Sequence, residues 1–225
     1  MGGDIQKISV VLLTFNRREY VEKSVTNNFA TAGYPIHEVI WVDNGSTDGV
    51  RAFMSEFLDN LGVDTTRILN DENKGVAKGY NAGYKVAEGD IVVKPGTDML
   101  LDDDWLLDMV EGMEIRPKAG IIGIYNEDLS KLGQRKMGEQ KDGLIPARAI
   151  GVQSIRREVF DKVGYLPEEY GLYGWDDIEW DEMVREAGYE TYYLAYQLAD
   201  HMTYLDEEEY RDYTDFKRGE TNKWS

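Results

Sequence analysis

Cysteine is absent from the 225 residues, which removes disulfides and thiolate metal sites from consideration. Histidine occurs only twice, and no serine sits in a Gly-x-Ser-x-Gly elbow, so a hydrolase triad lacks its parts. No apolar run approaches the ~18 residues needed to cross a bilayer. The opening MGGDIQK also lacks the apolar core of a secretion signal, so a soluble, cytoplasmic protein is expected. Basic residues are in deficit, 25 against 43 acidic, and the resulting charge of −18 repels a phosphate backbone, which argues against nucleic acid as a partner. Neither a Gly-x-Gly-x-x-Gly after the first strand nor a Gly-x-x-x-x-Gly-Lys-Ser/Thr loop is found, leaving a dinucleotide fold or a P-loop without support. Any enzymatic chemistry has to come from carboxylates.

What is present is an alternation of strand and helix signals. Ile8 to Thr14 is a β-branched run, and Arg17 to Ala32 follows with Tyr20, Val21, Val25 and Phe29 at helical spacing. Val39 to Asp43 repeats the strand pattern, ahead of a helix expected to be capped by Ser46 or Thr47 and to run to about Leu61. Thr65 to Leu69 reads as a third strand, Gly75 to Ala87 as a third helix, and Ile91 to Lys94 as a fourth strand. With no repeat or low-complexity tract, 225 residues at 42 % hydrophobic content fit one α/β domain, a mostly parallel central sheet flanked by helices. Ligands of such sheets sit beyond the carboxyl ends of the strands. That draws attention to residues 14–17, 43–48, 70–78 and 96–98.

The motifs in those places resemble family 2 glycosyltransferases of the GT-A fold. Val10-Val11-Leu12-Leu13-Thr14-Phe15-Asn16-Arg17 is similar to their opening strand and turn, and Val42-Asp43-Asn44-Gly45-Ser46-Thr47-Asp48 to their second. Asn73 to Gly83, Gly89-Asp90, Ile155 to Phe160 and Ala187-Gly188-Tyr189 follow in the family's order, so the resemblance covers roughly residues 8 to 203. It implies one catalytic domain over 1–225, with a nucleotide-binding half to about 100, an acceptor-binding half over about 101–203, and an acidic, aromatic tail from 204 to 225.

The family's Asp-x-Asp motif reads Gly96-Thr97-Asp98 here, which leaves Asp98 as the carboxylate that faces metal and donor. Asp102, Asp103 and Asp104, which stand just before the helical pattern from Trp105, are expected to start that helix as acids at its N-terminus. The resemblance also implies that Thr14, Asn16, Arg17, Asp43, Asn44, Lys74 and Lys78 hold a nucleoside-diphosphate sugar together with Asp98, and that Asp98 and His201 hold manganese or magnesium. Asp177, the second acid of Trp175-Asp176-Asp177, would be the base of an inverting transfer to a glycan or other hydroxyl acceptor, with Trp175 and Asp176 at the acceptor. Asp176 and Asp177 can also be read as caps of a helix from Ile178 to Ala187.

Two other classes stay open at this stage: a nucleotidyltransferase of related architecture, and a decayed binding module marked by Gly96. The basic stretch from Lys131 to Arg148 reads as an acceptor loop or mobile surface. Tyr210, Tyr213 and Phe216 suggest a terminal helix with an aromatic edge.

Overall fold

The computed structural model describes residues 6–126, 135–174 and 176–202. Trp175, the tail and residues 131–134 of the basic stretch lie outside them. The first half winds as expected: β1 (Ile8–Thr14), α1 (Arg18–Ala30), β2 (Glu38–Asp43), α2 (Val50–Leu61), β3 (Asp64–Leu69), α3 (Val76–Tyr84) and β4 (Ile91–Lys94). Strands β1 to β4 pair in parallel, in the order β3-β2-β1-β4. Strands β1 and β4 thus flank the point where the winding reverses direction, and the crevice beyond their carboxyl ends is the natural ligand site.

The second half is mixed. It comprises β5 (Met99–Leu101), α4 (Trp105–Ile115), β6 (Ala119–Tyr125), β7 (Arg135–Lys136), β8 (Leu144–Arg148), β9 (Gln153–Arg156), α5 (Arg157–Val163), α6 (Asp176–Glu186) and β10 (Glu190–His201). Strand β9 is antiparallel to both β4 and β6, whereas β10 runs parallel to β6 and antiparallel to β8 and β5. Residues 135–148, expected as a loop or mobile surface, instead form the β7–β8 edge.

Helices cover both faces, so strands β1, β2 and β4 are buried throughout or nearly so and read as continuous apolar runs. One face packs Val10, Leu12, Trp41, Ile91 and Val93 against α1, α2 and α4. The other packs Val11, Ile40, Val42 and Val92 against Tyr80 and Tyr84 of α3, Phe160 of α5 and Trp180 of α6. None of the helices among the described residues is long and apolar enough to cross a membrane.

Several boundaries differ from expectation for identifiable reasons. Helix α2 starts at Val50 after Gly49 in a left-handed conformation, not at Ser46 or Thr47. Asp48 does the capping, since one carboxylate oxygen accepts the Arg18 N–H of α1 at 2.8 Å and the other the Val50 N–H at 3.2 Å. Asp104 precedes α4 without a side-chain cap, and the Leu106 and Leu107 N–H groups donate to the Ala32 carbonyl instead, each at 3.2 Å. Helix α6 begins at Asp176, which puts Asp176 and Asp177 inside its first turn rather than ahead of it. The last strand continues past Tyr196 to His201 because β5, unforeseen in the sequence, pairs with its end.

Candidate active site

The two turns at the mouth of the parallel half are laced together. Asn16 and Arg17 both adopt positive φ, 53° and 66°. Asparagine tolerates this conformation better than most residues, and here its side chain also accepts the Thr47 N–H at 2.8 Å. The Asn16 N–H in turn donates to Ser46 Oγ at 2.8 Å. Asp43, at the end of β2, is fully buried and accepts from Thr14 Oγ1 at 2.9 Å, Arg51 Nε at 2.6 Å, and the Ser46 and Gly45 N–H groups at 3.0 and 3.2 Å. Burial alone would raise its pKa, but the hydrogen bonds from Ser46, Arg51 and Thr14 prevail and hold it below the usual carboxylate value. Asn44 is also buried and ties the β2 turn to the next loop, donating to the Gly75 carbonyl and accepting from Asn70. Thr14, Asp43 and Asn44 therefore build the floor, while Asn16 and Arg17 are partly exposed above it and Lys74 and Lys78 are exposed near the start of α3.

Asp98 stands beyond β4, across the crevice from Arg17. The preceding Thr97 donates to the Leu13 carbonyl of β1 at 2.9 Å. Strand β5 then pairs Met99 with His201, so the residue before β5 and the last residue of β10 are brought together although far apart in sequence. Asp98 Oδ2 lies 3.5 Å from His201 Nε2 and 3.4 Å from Arg17 Nη1, and the Arg17 guanidinium is 4.3 Å from the Tyr20 ring centre. His201 is buried and Asp98 about one-quarter exposed, so the imidazole backs the site while the carboxylate faces the opening. Gly96 has φ 78°, and a Cβ there would stand 2.9 Å from Met99 Cγ. The turn that aims Asp98 is thus one that an aspartate at position 96 would strain.

The donor set suits a hard divalent cation. An imidazole nitrogen and a carboxylate oxygen converge, and no group of three or more candidate ligands exists among the described residues. A cation held there would complete its shell from substrate phosphate and water, as magnesium commonly does.

The acidic pair is carried by the first turn of α6. Asn81 of α3 clamps the approach to α6, donating to the Leu166 carbonyl at 2.9 Å and to Glu168 at 2.8 Å while accepting the Leu166 N–H at 3.0 Å. The Val76 N–H at the start of α3 donates to the Leu172 carbonyl at 3.1 Å. Gly75 meets this segment so closely that a Cβ would lie 2.2 Å from the Gly171 carbonyl oxygen. Asp176 is buried and Asp177 half-buried at the helix start. Farther along α6, Asp181 is fully buried; it ties the helix to the residue after β8 by accepting the Ala149 N–H at 3.0 Å, and within the helix it accepts from Arg185 Nε at 2.8 Å.

Sequence reasoning missed two side chains. Arg51 braces Asp43 and also donates to the Asn70 carbonyl, and no local pattern announces it. Lys94 is a lysine closing a fully buried strand, a signal that was there to be read.

Comparison with known proteins adds a lineage. The sequence profile of glycosyl transferase family 2 matches residues 9–166. Glycosyltransferase AglE of Haloferax volcanii is 25 % identical over 204 residues, 84 % of this chain and 64 % of its own length. The chain spans less than two thirds of the length of the curated relatives it matches. Among solved structures, GalNAc-T7 with UDP, GalNAc and Mn2+ superposes with a TM-score of 0.72 at 13 % identity, over 89 % of this chain and 44 % of its own. The mannosyltransferase PcManGT of Pyrobaculum calidifontis, in complex with GDP-Man and Mn2+, does so with 0.66 at 20 % identity, over 83 % and 54 %. These structural likenesses establish the GT-A fold. The profile, which spans most of the described residues, carries the assignment: the chain belongs to glycosyl transferase family 2.

Proposed function

We propose that this chain transfers a sugar from a nucleoside-diphosphate donor to an acceptor hydroxyl with inversion at the anomeric carbon. The observation that carries the reading is the meeting of Asp98 and His201 in the β1–β4 crevice, produced by the β5–β10 pairing. The ligands of the structural neighbours, GDP-Man with Mn2+ in one and UDP with GalNAc and Mn2+ in another, support a nucleoside-diphosphate sugar and a divalent cation as the class of donor and cofactor here. Thr14, Asp43 and Asn44 shape the nucleotide floor, Asn16 and Arg17 border the nucleotide, and Lys74 and Lys78 offer positive charge to the phosphates. Asp98 and His201 are the residues that would hold manganese or magnesium. When bound, such a cation neutralises charge on the departing diphosphate.

Asp177 takes the proton from the acceptor hydroxyl as that oxygen bonds to the anomeric carbon, and the nucleoside diphosphate leaves from the opposite face with the bonding electron pair. Asp176 and Trp175 border the acceptor. The whole activity sits within one catalytic domain whose first half binds nucleotide and whose second half binds acceptor.

A panel of sugar nucleotides with manganese tests this reading. A true donor at about 100 times its dissociation constant should stabilise the fold by ~2.7 kcal/mol, and with an acceptor should release free nucleoside diphosphate. Binding without release, across all donors and acceptors tried, would favour a binding module.

A further inference from the structure

Arg51 borders the crevice, and the transfer proposed above gives it no task beyond bracing Asp43. Its Nε donates to Asp43 at the end of β2, at 2.6 Å, and its Nη2 donates to the carbonyl of Asn70, the residue after β3. The guanidinium, held from the first turn of α2, is thereby laid across the carboxyl ends of two neighbouring strands, the side of the sheet on which a ligand binds. The Asp43 side chain beneath it is 0 % exposed, whereas that of Arg51 is 38 % exposed. What this corner of the floor shows to a ligand is therefore the arginine, not the carboxylate.

A guanidinium has five N–H donors, and the two bonds leave Nη1 to donate outward. Leu69, the last residue of β3, shares a rung with Asp43 and so a face of the sheet, and is 50 % exposed. An apolar surface thus borders outward donors, the combination that suits a flat heterocycle with acceptor atoms on its edge. Position along the sheet says which part of a donor lies here. Asp98 follows β4, and strands stand about 4.8 Å apart in the order β3-β2-β1-β4, so β2 and β3 lie about 10–15 Å from β4. With the diphosphate at Asp98, the far end of the nucleotide, its base, reaches Arg51.

We propose that Arg51 reads the base of the donor, its guanidinium donating to a ring carbonyl, and so selects nucleotides of uracil or guanine over those of cytosine or adenine. This rests on the nucleoside-diphosphate donor proposed above. A guanidinium offers donors only. Uracil and guanine carry a carbonyl oxygen where cytosine and adenine carry an amino group, and an amino group facing Arg51 would set donor against donor and leave both unpaired. Asp43 does not supply the missing acceptor, since its buried oxygens already accept from Thr14, Gly45, Ser46 and Arg51.

The test is the affinity of UDP, CDP, GDP and ADP, by calorimetry with manganese, in wild type, Arg51→Lys and Arg51→Met, each checked for a cooperative melt. Inorganic pyrophosphate serves as a probe without a base. Within the pair that binds more tightly, pyrimidine or purine, wild type should prefer the oxo base, UDP over CDP or GDP over ADP, by about 10-fold or more. Lysine keeps a positive charge for Asp43 but lacks the planar fork, so Arg51→Lys, like Arg51→Met, should cut that ratio to below about three-fold. Pyrophosphate affinity should change less than about two-fold, because the substitution is remote from Asp98. A purely structural arginine would weaken all four nucleotides alike and keep the ratio. That result in a folded variant, or a wild type indifferent to the exchange of oxo for amino base, overturns the role of Arg51 alone. Failure of all four nucleotides and pyrophosphate to bind overturns the donor assignment and this proposal with it. A crystal structure of wild type with the preferred nucleotide needs no variant: the base carbonyl should lie within hydrogen-bond distance of the Arg51 guanidinium, and a base turned away from it overturns the proposal.

Discussion

Asp43 illustrates what a single side chain contributes here. Its carboxylate unites β1, β2 and α2 through Thr14, Ser46 and Arg51, and those bonds keep its folded pKa below the unfolded value of ~3.9. A depressed carboxyl adds stability that is fully present above the unfolded pKa and is lost as pH falls through the folded one. The stability difference between wild type and Asp43→Asn, from urea unfolding, should therefore be constant above about pH 5 and shrink below about pH 4. A difference that stays constant to pH 3 would show that the hydrogen bonds do not favour the ionised form. Gly96 offers a second residue-scale test, because its left-handed turn means that restoring the family's acid is not a repair. Gly96→Asp should lose about 1–2 kcal/mol and gain no manganese affinity. Tighter manganese binding at unchanged melting temperature would revive the view of position 96 as a simple loss. The place of Asp98 just past the fourth strand was legible in the sequence. The work of Asp48 was not, because a carboxylate that caps two helices from different turns has no local spacing to reveal it.

Elements place what residues supply. Strand β5 has only three residues, yet it fixes the distance between Asp98 and His201. Its other edge is held by polar side chains of α1: Asn28 accepts the Leu101 N–H at 3.1 Å and donates to the Met99 carbonyl at 3.0 Å, and Ser24 donates to the same carbonyl at 2.8 Å. The sequence marked α1 by its apolar positions Val21, Val25 and Phe29. The buried polar pair went unread, since its meaning depends on an edge strand whose three residues are too short to register. Asn28→Ala should cost ~1–3 kcal/mol by leaving the Leu101 N–H unpaired, and should weaken manganese-supported donor binding although residue 28 makes no metal contact. Wild-type donor affinity in a measurably destabilised variant would separate β5 from the site. If Asp98 and His201 hold one cation, as proposed, their losses should overlap. Calorimetry of Asp98→Ala, His201→Ala and the double variant should give a combined loss well short of the sum. Full additivity would exclude a shared ion.

The whole molecule joins a parallel half, which forms the floor of the crevice, to a mixed half that carries His201 and the acidic pair. The parallel half was plain in the sequence, since strands buried on both faces write long apolar runs and the turns after them carry the polar residues. The mixed half was less so: β9 runs antiparallel between two strands distant in sequence, and β10 pairs with three others, relations that no local period encodes. A body of charge −18 has little general attraction for a sugar nucleotide, so on the proposed function capture would depend on a cation at Asp98 and His201 and on the few bases around the crevice. The central claim is that this assembly performs a transfer for which Asp177 removes the acceptor proton. The measurement that addresses it most directly is release of nucleoside diphosphate, with manganese, donor and acceptor present, by wild type and Asp177→Asn side by side. Asparagine occupies the same helix turn with nearly the same shape, so donor affinity should be kept while turnover falls about 100-fold or more. Turnover retained in the variant, at unchanged donor affinity, would contradict the account.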